Sequence, residues 1–377
     1  MLTVAQVLTR KQQKEFINFP LKLYKGNPCF VPPLYGDEMK MFKKGFVYAD
    51  TCKMACFNAY DDGRQVGRIQ AIIQTASNEK RGEKRVRFNR FDAVNDQSVA
   101  DALFAAAEKW AKDNGMDTAC GPLGFSDLER EGLLIEGFDE LSTFEEQYNA
   151  DYYQTLIENC GYVKEVDWTE SKIYLPKDDD GTLKKMSEFI MKRYDLHFGE
   201  AKNTRDFIKK YGDAFFELLD VAYADLYGTV PFTDGMKKMM ISNFMLIIDI
   251  KHVAVILDKN NKLVCLGLCF PSIAKAVQKS GGKLTPAALL RLLKAIKRPD
   301  IIDLGLISVD PEYSNRGIST IISYGLLNML KEDGVKYAET NLNLEDNYAI
   351  RNQWKRFDAV QHKRRRAYVK KLTEGLN

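Results

Sequence analysis

The stretch VDPEYSNRGISTII, Val309 to Ile322, closes one pattern and opens another. Before it, IIDLGLISV (301–309) is an apolar run of strand length. After it, Ile318, Ile321, Ile322, Leu326, Met329 and Leu330 recur three and four apart, the buried face of a helix that Asp333-Gly334 would stop. Between the two stand Ser314, Asn315, Arg316 and Gly317. A strand-to-helix junction exposes backbone N–H groups with no internal partner, and the helix dipole adds partial positive charge there. A glycine lets a ligand approach without meeting a Cβ. Together these features describe a phosphate cradle.

The chain on either side repeats one order of parts. In the first half KMACFNAYDD and GRQVGRIQAIIQ form a strand pair turning at Asp61-Asp62-Gly63, and RVRFNRFDAV adds a third strand. A helix follows with Val99, Leu103, Phe104, Ala107, Trp110 and Ala111 on one face, closed by Asn114-Gly115, and then a strand at MDTACGP. In the second half a helix over TRDFIKKYGDAFFELLDVAYADLY precedes the strand pair KHVAVILDKNNKLVCLGLCFP. The strand 301–309, the helix after Gly317, the strand KYAETNLNL and a helix from Asn347 to Phe357 then complete the echo. Between the halves KIYLPKDDDGTLKK (172–185) trades alternation for charge, Pro and Gly, which divides the chain into 1–177 and 178–377.

Composition bounds the function. A chain of 377 residues, 45% hydrophobic, has room for two cores. Lys plus Arg is 55 against 52 for Asp plus Glu, so no basic surplus argues for a nucleic-acid partner. The seven cysteines are odd in number and lack paired spacing, so we expect reduced thiols and no metal site. The first residues lack the sections of a signal peptide, and no apolar stretch reaches the roughly 20 residues of a membrane span. The expectation is a cytoplasmic protein with no membrane partner.

The junction also resembles a known family. A strand ending in Val309, the connection Asp310–Tyr313, and then Ser314-Asn315-Arg316-Gly317-Ile318-Ser319 before a helix are similar to the acetyl-CoA loop of the GCN5-related N-acetyltransferases. In that family the pattern is R/Q-x-x-G-x-G/A and its amides hold the CoA pyrophosphate. LEDNYAIRNQWKRFDA resembles the family's second segment, with Asn347 and Ala349 in place. The likeness is strongest to long bacterial members with two such domains in one chain. It implies an α/β (α+β) fold of two tandem domains, each a mixed, mostly antiparallel sheet flanked by helices. It also implies a CoA-dependent N-acyltransferase moving an acetyl group from acetyl-CoA, or another acyl-CoA, to a small-molecule or peptide amine. The donor would be held by Ile307, Val309, Ser314, Asn315, Arg316, Gly317, Ile318, Ser319, Asn347 and Trp354.

Three departures matter. Ser314 stands where Arg or Gln is usual, Ser319 replaces the second small residue, and Trp354 takes the place of the tyrosine that in many members protonates the departing thiolate. An indole N–H gives up no proton near neutral pH. In the first half the equivalent junction, DAVNDQSVAD (92–101), has no glycine and carries Asp92 and Asp96, so that domain is expected to be degenerate and without a CoA site.

Acyl transfer to an amine needs donors for the developing oxyanion and a base for the ammonium proton. The resemblance assigns the donors to backbone around Ser308. Glu339 is the candidate base, because the period of two puts it on one face with Asn341 and Asn343. Three other features read as ordinary structure. His197, His252 and His362 are isolated, Lys363–Arg366 form an exposed edge strand, and TPAALLRLLKAIKRPD (285–300) is a helix packed over the sheet. Two alternatives remain at this level: a CoA-binding module that does no chemistry, favoured by Trp354, and an aminoacyl or peptidyl transferase, disfavoured by the near-neutral charge.

Overall fold

The computed structural model describes residues 1–224, 226–332 and 334–372. The expected helix stop at Asp333 lies outside the described residues. The chain divides into two compact units: Met1–Thr169, Ala274–Leu289 and the chain from Lys363 make the first, and Glu170–Ile273 with Leu290–His362 make the second. In chain order the elements up to the end of the first long segment are β1 (Leu2–Gln6), α1 (Arg10–Leu23), α2 (Tyr35–Glu38), β2 (Cys52–Asp61), β3 (Arg64–Gln74), α3 (Thr75–Arg81), β4 (Arg85–Ala93), α4 (Gln97–Asp113), β5 (Thr118–Gly121), β6 (Leu133–Glu136), α5 (Tyr153–Asn159) and β7 (Val163–Tyr174). They continue with α6 (Thr182–Arg193), β8 (His197–Phe198), α7 (Thr204–Ala222), α8 (Asp234–Ile247), β9 (Val253–Leu257), β10 (Leu263–Pro271), α9 (Ala274–Ser280), α10 (Pro286–Lys297), β11 (Ile301–Val309), α11 (Ser319–Leu330), β12 (Tyr337–Thr340), β13 (Asn343–Leu344), α12 (Tyr348–Trp354) and β14 (Asp358–Lys371).

In the first unit β1, β2, β3 and β4 pair antiparallel in sequence, α4 crosses over, and β5 pairs parallel to β4 through Arg85↔Thr118, Val86↔Ala119 and Arg87↔Cys120. The second unit repeats the order: β9, β10 and β11 pair antiparallel, α11 crosses over, and β12 pairs parallel to β11 from Ile301↔Tyr337 to Leu304↔Thr340. Each unit is thus a mixed, mostly antiparallel sheet flanked by helices. Local chemistry explains the hairpins. Asp62 and Gly63 both take positive φ, as a two-residue turn between twisted strands requires, and at the β9–β10 turn Asp258 accepts from the amides of Asn260 and Lys262. The apolar stripe of α4 is buried at Val99, Leu103, Phe104, Ala107 and Ala111.

The parallel strands stay paired for only a few residues and then part. On β11 the antiparallel register slips between Leu268 and Cys269, which leaves Gly305 as an extra residue, a bulge. A Cβ on Gly305 would lie 2.2 Å from the Phe270 ring, so no larger residue fits. The equivalent irregularity on β4 falls beside Arg90, which has φ 45°.

Three expectations are corrected. The strand 336–344 stops at Thr340, and Asn343 resumes as β13. The cluster Lys363–Arg366 is no exposed edge: Lys363 is 1% and Arg365 0% exposed, because β14 is paired to β5 and β6 and its charges meet partners. Arg366 grips Asp167 through two bonds of 2.8 and 3.0 Å. The helix in 285–300 is not packed down by its leucines, since Ala288 is the one residue of α10 that is buried. The strand β1 and the helix α1 were not foreseen.

Candidate functional site

The site is built around the end of β11. Beyond Leu304 the strand has no partner in β12, while β10 still pairs with it from Gly267↔Ile307 to Cys265↔Val309. The Ile307 carbonyl accepts the Tyr223 hydroxyl at 2.8 Å, and the Ser308 hydroxyl is buried and donates to the Leu218 carbonyl at 3.3 Å. Ser308 therefore offers the opening its backbone rather than its side chain.

The loop that follows is pinned at its entry. Asp310 caps a short turn by accepting from the Glu312 amide, and its own amide donates to the Val264 carbonyl. Lys262 reaches Asp310 at 2.9 Å and Glu312 at 3.1 Å, hydrogen bonds that also raise the lysine pKa, so one cation is shared between the two acidic groups at the entry. Asn315 and Gly317 take φ of 61° and 78°. The left-handed turns leave the amides of Asn315, Gly317, Ile318 and Ser319 with no hydrogen bond among the described residues. No side chain caps α11. Exposed Arg316 lies over the rings of Tyr313 and Tyr194 at 4.9 and 5.5 Å. Below the loop Ile318 and Ile321 pack with Ile190 of α6, which anchors the cradle on a core.

The corresponding junction of the first unit is chemically closed. Asp96 caps α4 by accepting from the Ser98 amide at 2.9 Å and its hydroxyl at 2.7 Å, bonds that also lower the Asp96 pKa. Asp92 is buried against Arg68 at 2.7 Å and accepts from Tyr24 and Tyr153. At the start of α4 the Asp96 carboxylate caps the helix at the Ser98 amide, whereas no side chain caps α11.

A second group of predicted residues gathers on α12. Asn347 is its N-cap and accepts from the Ile350 amide at 3.2 Å, so its amide group supports the helix. The Trp354 indole donates to Asn343 at 2.9 Å. Arg356 donates to Thr320 in the first turn of α11 at 2.9 Å, which ties the end of α12 to the cradle.

Glu339 lies on β12 level with Asp303 of β11 and faces the same side of the sheet. Asn341 and Asn343 do not join it, because the strand has ended. Instead the His362 ring Nε2 lies 2.9 Å from the Glu339 carboxylate, with side chains 5% and 6% exposed. The His362 Nδ1 atom is buried without a hydrogen-bond partner among the described residues. Sequence reading missed this histidine, whose signal was its place in an alternating strand, because nothing local pairs residues 23 positions apart. His252 is also near a carboxylate, 3.7 Å from Glu332, but burial lowers its pKa and keeps the ring neutral.

No family model matches the chain. Among curated proteins it is 28% identical to Protein YghO of Escherichia coli over 98% of this chain and 95% of that one. It is 25% identical to a bacterial ceramide synthase of Caulobacter vibrioides over 98% of each. Among solved structures, a tandem GNAT protein from the clavulanic acid biosynthesis pathway superposes over the full length of both chains, with a TM-score of 0.54 and 11% identity. Two units with the same strand order, each parting at a bulge, meet that likeness along their whole length: the fold of this chain is that of the tandem GCN5-related N-acetyltransferases.

Proposed function

We propose that the chain is an acyl-CoA-dependent N-acyltransferase with a single donor site in the second unit. The observation that carries the reading is the set of four unpartnered amides from Asn315 to Ser319 at an uncapped helix start. They fit a pyrophosphate, and Lys262 offsets part of the charge of the two carboxylates at the loop entry. Acyl-CoA supplies a thioester whose C–S bond breaks as the amine N–C bond forms, releasing a free thiol.

In this reading the parted strand β11 holds the donor's chain along its free edge, and its backbone near the Gly305 bulge steadies the reacting carbonyl. Glu339 takes the ammonium proton, and His362 orients and shares it through the 2.9 Å contact. The leaving group needs no acid from Trp354, since a thiolate is a fair leaving group near neutral pH and takes its proton from water after it departs. The curated relative named as a ceramide synthase points to a fatty acyl donor and a long-chain amine acceptor rather than an acetyl group. An acetyl donor and a small or peptide amine are the narrower alternative.

A second reading, a CoA-binding module without chemistry, is favoured by the indole bond of Trp354 to Asn343 and by the buried Ser308 hydroxyl. Incubating the pure protein with short- and long-chain acyl-CoA and a series of amines, while following free thiol, separates the two. Amine-dependent thiol release supports the transferase. CoA binding with no release under any pairing supports the module.

A further inference from the structure

Helix α10 presents an apolar face that nothing among the described residues covers. Leu289 is 52%, Leu290 69% and Leu293 45% exposed, and Leu284 just before the helix is 63% exposed. At 100° per residue the three helical leucines fall on one side, with Lys294 at the edge of that side and Lys297 one turn beyond Leu293 on it. Soluble surfaces seldom leave so many large apolar side chains together without a use for them.

The charge around this face has one sign. Between Asp258 and Asp300 the sequence contains no Asp or Glu, while Lys275, Lys279, Lys283, Arg291, Lys294, Lys297 and Arg298 all fall within α9, α10 and their flanks. Arg291, Lys294, Lys297 and Arg298 make no ion pair among the described residues, and all are exposed. A row of leucines beside unpaired cations complements a surface that is apolar beneath and anionic above. The helix is 12 residues long, about 18 Å, so it lies along such a surface and does not cross it.

We propose that α10 is a membrane-docking helix that seats its leucines among the acyl chains of an anionic bilayer while its lysines and arginines contact the lipid phosphates. The charge complementarity selects a bilayer over a protein partner, because Arg291, Lys294, Lys297 and Arg298 are spread along the helix with no acidic counterpart among the described residues and need a diffuse negative surface. The proposal does not depend on the acyl-transfer reading, since it concerns only where the protein sits.

The test is co-sedimentation of the full chain with vesicles of phosphatidylglycerol in phosphatidylcholine, against vesicles of phosphatidylcholine alone, at low and high salt. The wild type is expected to bind the anionic vesicles and to be released by salt. The L289S/L290S/L293S variant should bind at least about tenfold more weakly, as loss of the apolar insertion requires. The K294E/K297E variant should lose its preference for phosphatidylglycerol. All five changed positions are exposed, so melting temperatures should stay at the wild-type value, and thermal unfolding by circular dichroism checks this. Three results overturn the proposal: a wild type that stays in the supernatant, a serine variant that sediments like the wild type, or a wild-type dimer that the serine substitutions dissolve without any vesicle binding. The last would assign the face to a second copy of the chain.

Discussion

The Glu339 carboxylate and the His362 imidazole lie 2.9 Å apart on separate strands, both almost wholly buried, and the pair sits beside the point where β11 and β12 part. A buried carboxylate joined to a ring with a free nitrogen is suited to accept a proton and pass it on. Glu339→Gln keeps a hydrogen bond to the ring but removes the base. The amine-dependent rate should fall about 100-fold or more while CoA binding is retained. The deficit should narrow as pH approaches the amine pKa, about 10 for an alkyl amine, because the acceptor then arrives deprotonated. A pH–rate profile of the variant parallel to the wild type would show that Glu339 only supports the fold.

Trp354 is held by its indole bond to Asn343 and packs beside the core under α12. Trp354→Phe should therefore cost stability through that lost bond, about 1 kcal/mol, and leave turnover within about tenfold. Steady-state kinetics together with denaturant unfolding check this. A loss of turnover beyond about 100-fold with CoA binding intact would give the indole a chemical role.

Glu131 in the first unit is buried, and its Oε2 has no hydrogen-bond partner. Burial first, then the nearby Asp127 and Glu146 carboxylates, push its pKa well above 4.5, against the pull of Arg87. A raised pKa means that the folded state holds a proton the unfolded state releases, so stability is full below about pH 4 and declines as pH rises toward the folded value. Glu131→Gln is neutral at every pH. It should raise the melting temperature near neutral pH and match the wild type in acid. An unchanged difference across the range would mean that the carboxyl is ionised in the fold.

Much of this architecture was legible because its determinants are local. The β2–β3 turn declares itself through Asp62-Gly63, α4 and α11 through their apolar stripes, and the strand-to-helix junction through the left-handed Gly317. What remained hidden was set by pairing across the sheet. Alternation in 358–371 correctly separates His362 from Lys363, but it cannot say that both faces of β14 are covered, so the buried Arg365 was read as exposed. Glu339 is singled out by its strand together with Asn341 and Asn343, but the structure sets it against His362, because the strand ends at Thr340 and a residue from β14 lies beside it instead. The helix α10 misled in the other direction: its stripe is that of a core helix, yet the leucines face outward.

The central claim is one CoA site, at the Gly317 loop. Gly317 has φ 78°, and a Cβ there would lie 3.1 Å from Ile190, so any substitution carries strain as well as its own chemistry. Gly317→Ala reports that strain, about 1–2 kcal/mol for a left-handed alanine, and Gly317→Asp adds a negative charge where the pyrophosphate would rest. Asn95→Asp makes the matching change of charge at the start of α4, where Asp96 already caps the Ser98 amide. Calorimetric titration of CoA into the wild type and the three variants, with circular dichroism to confirm folding, is the most direct measurement. The account predicts about one site per chain, unchanged in Asn95→Asp, weakened in Gly317→Ala and lost in Gly317→Asp. Two sites per chain, no binding by the folded wild type, or loss in Asn95→Asp would contradict it.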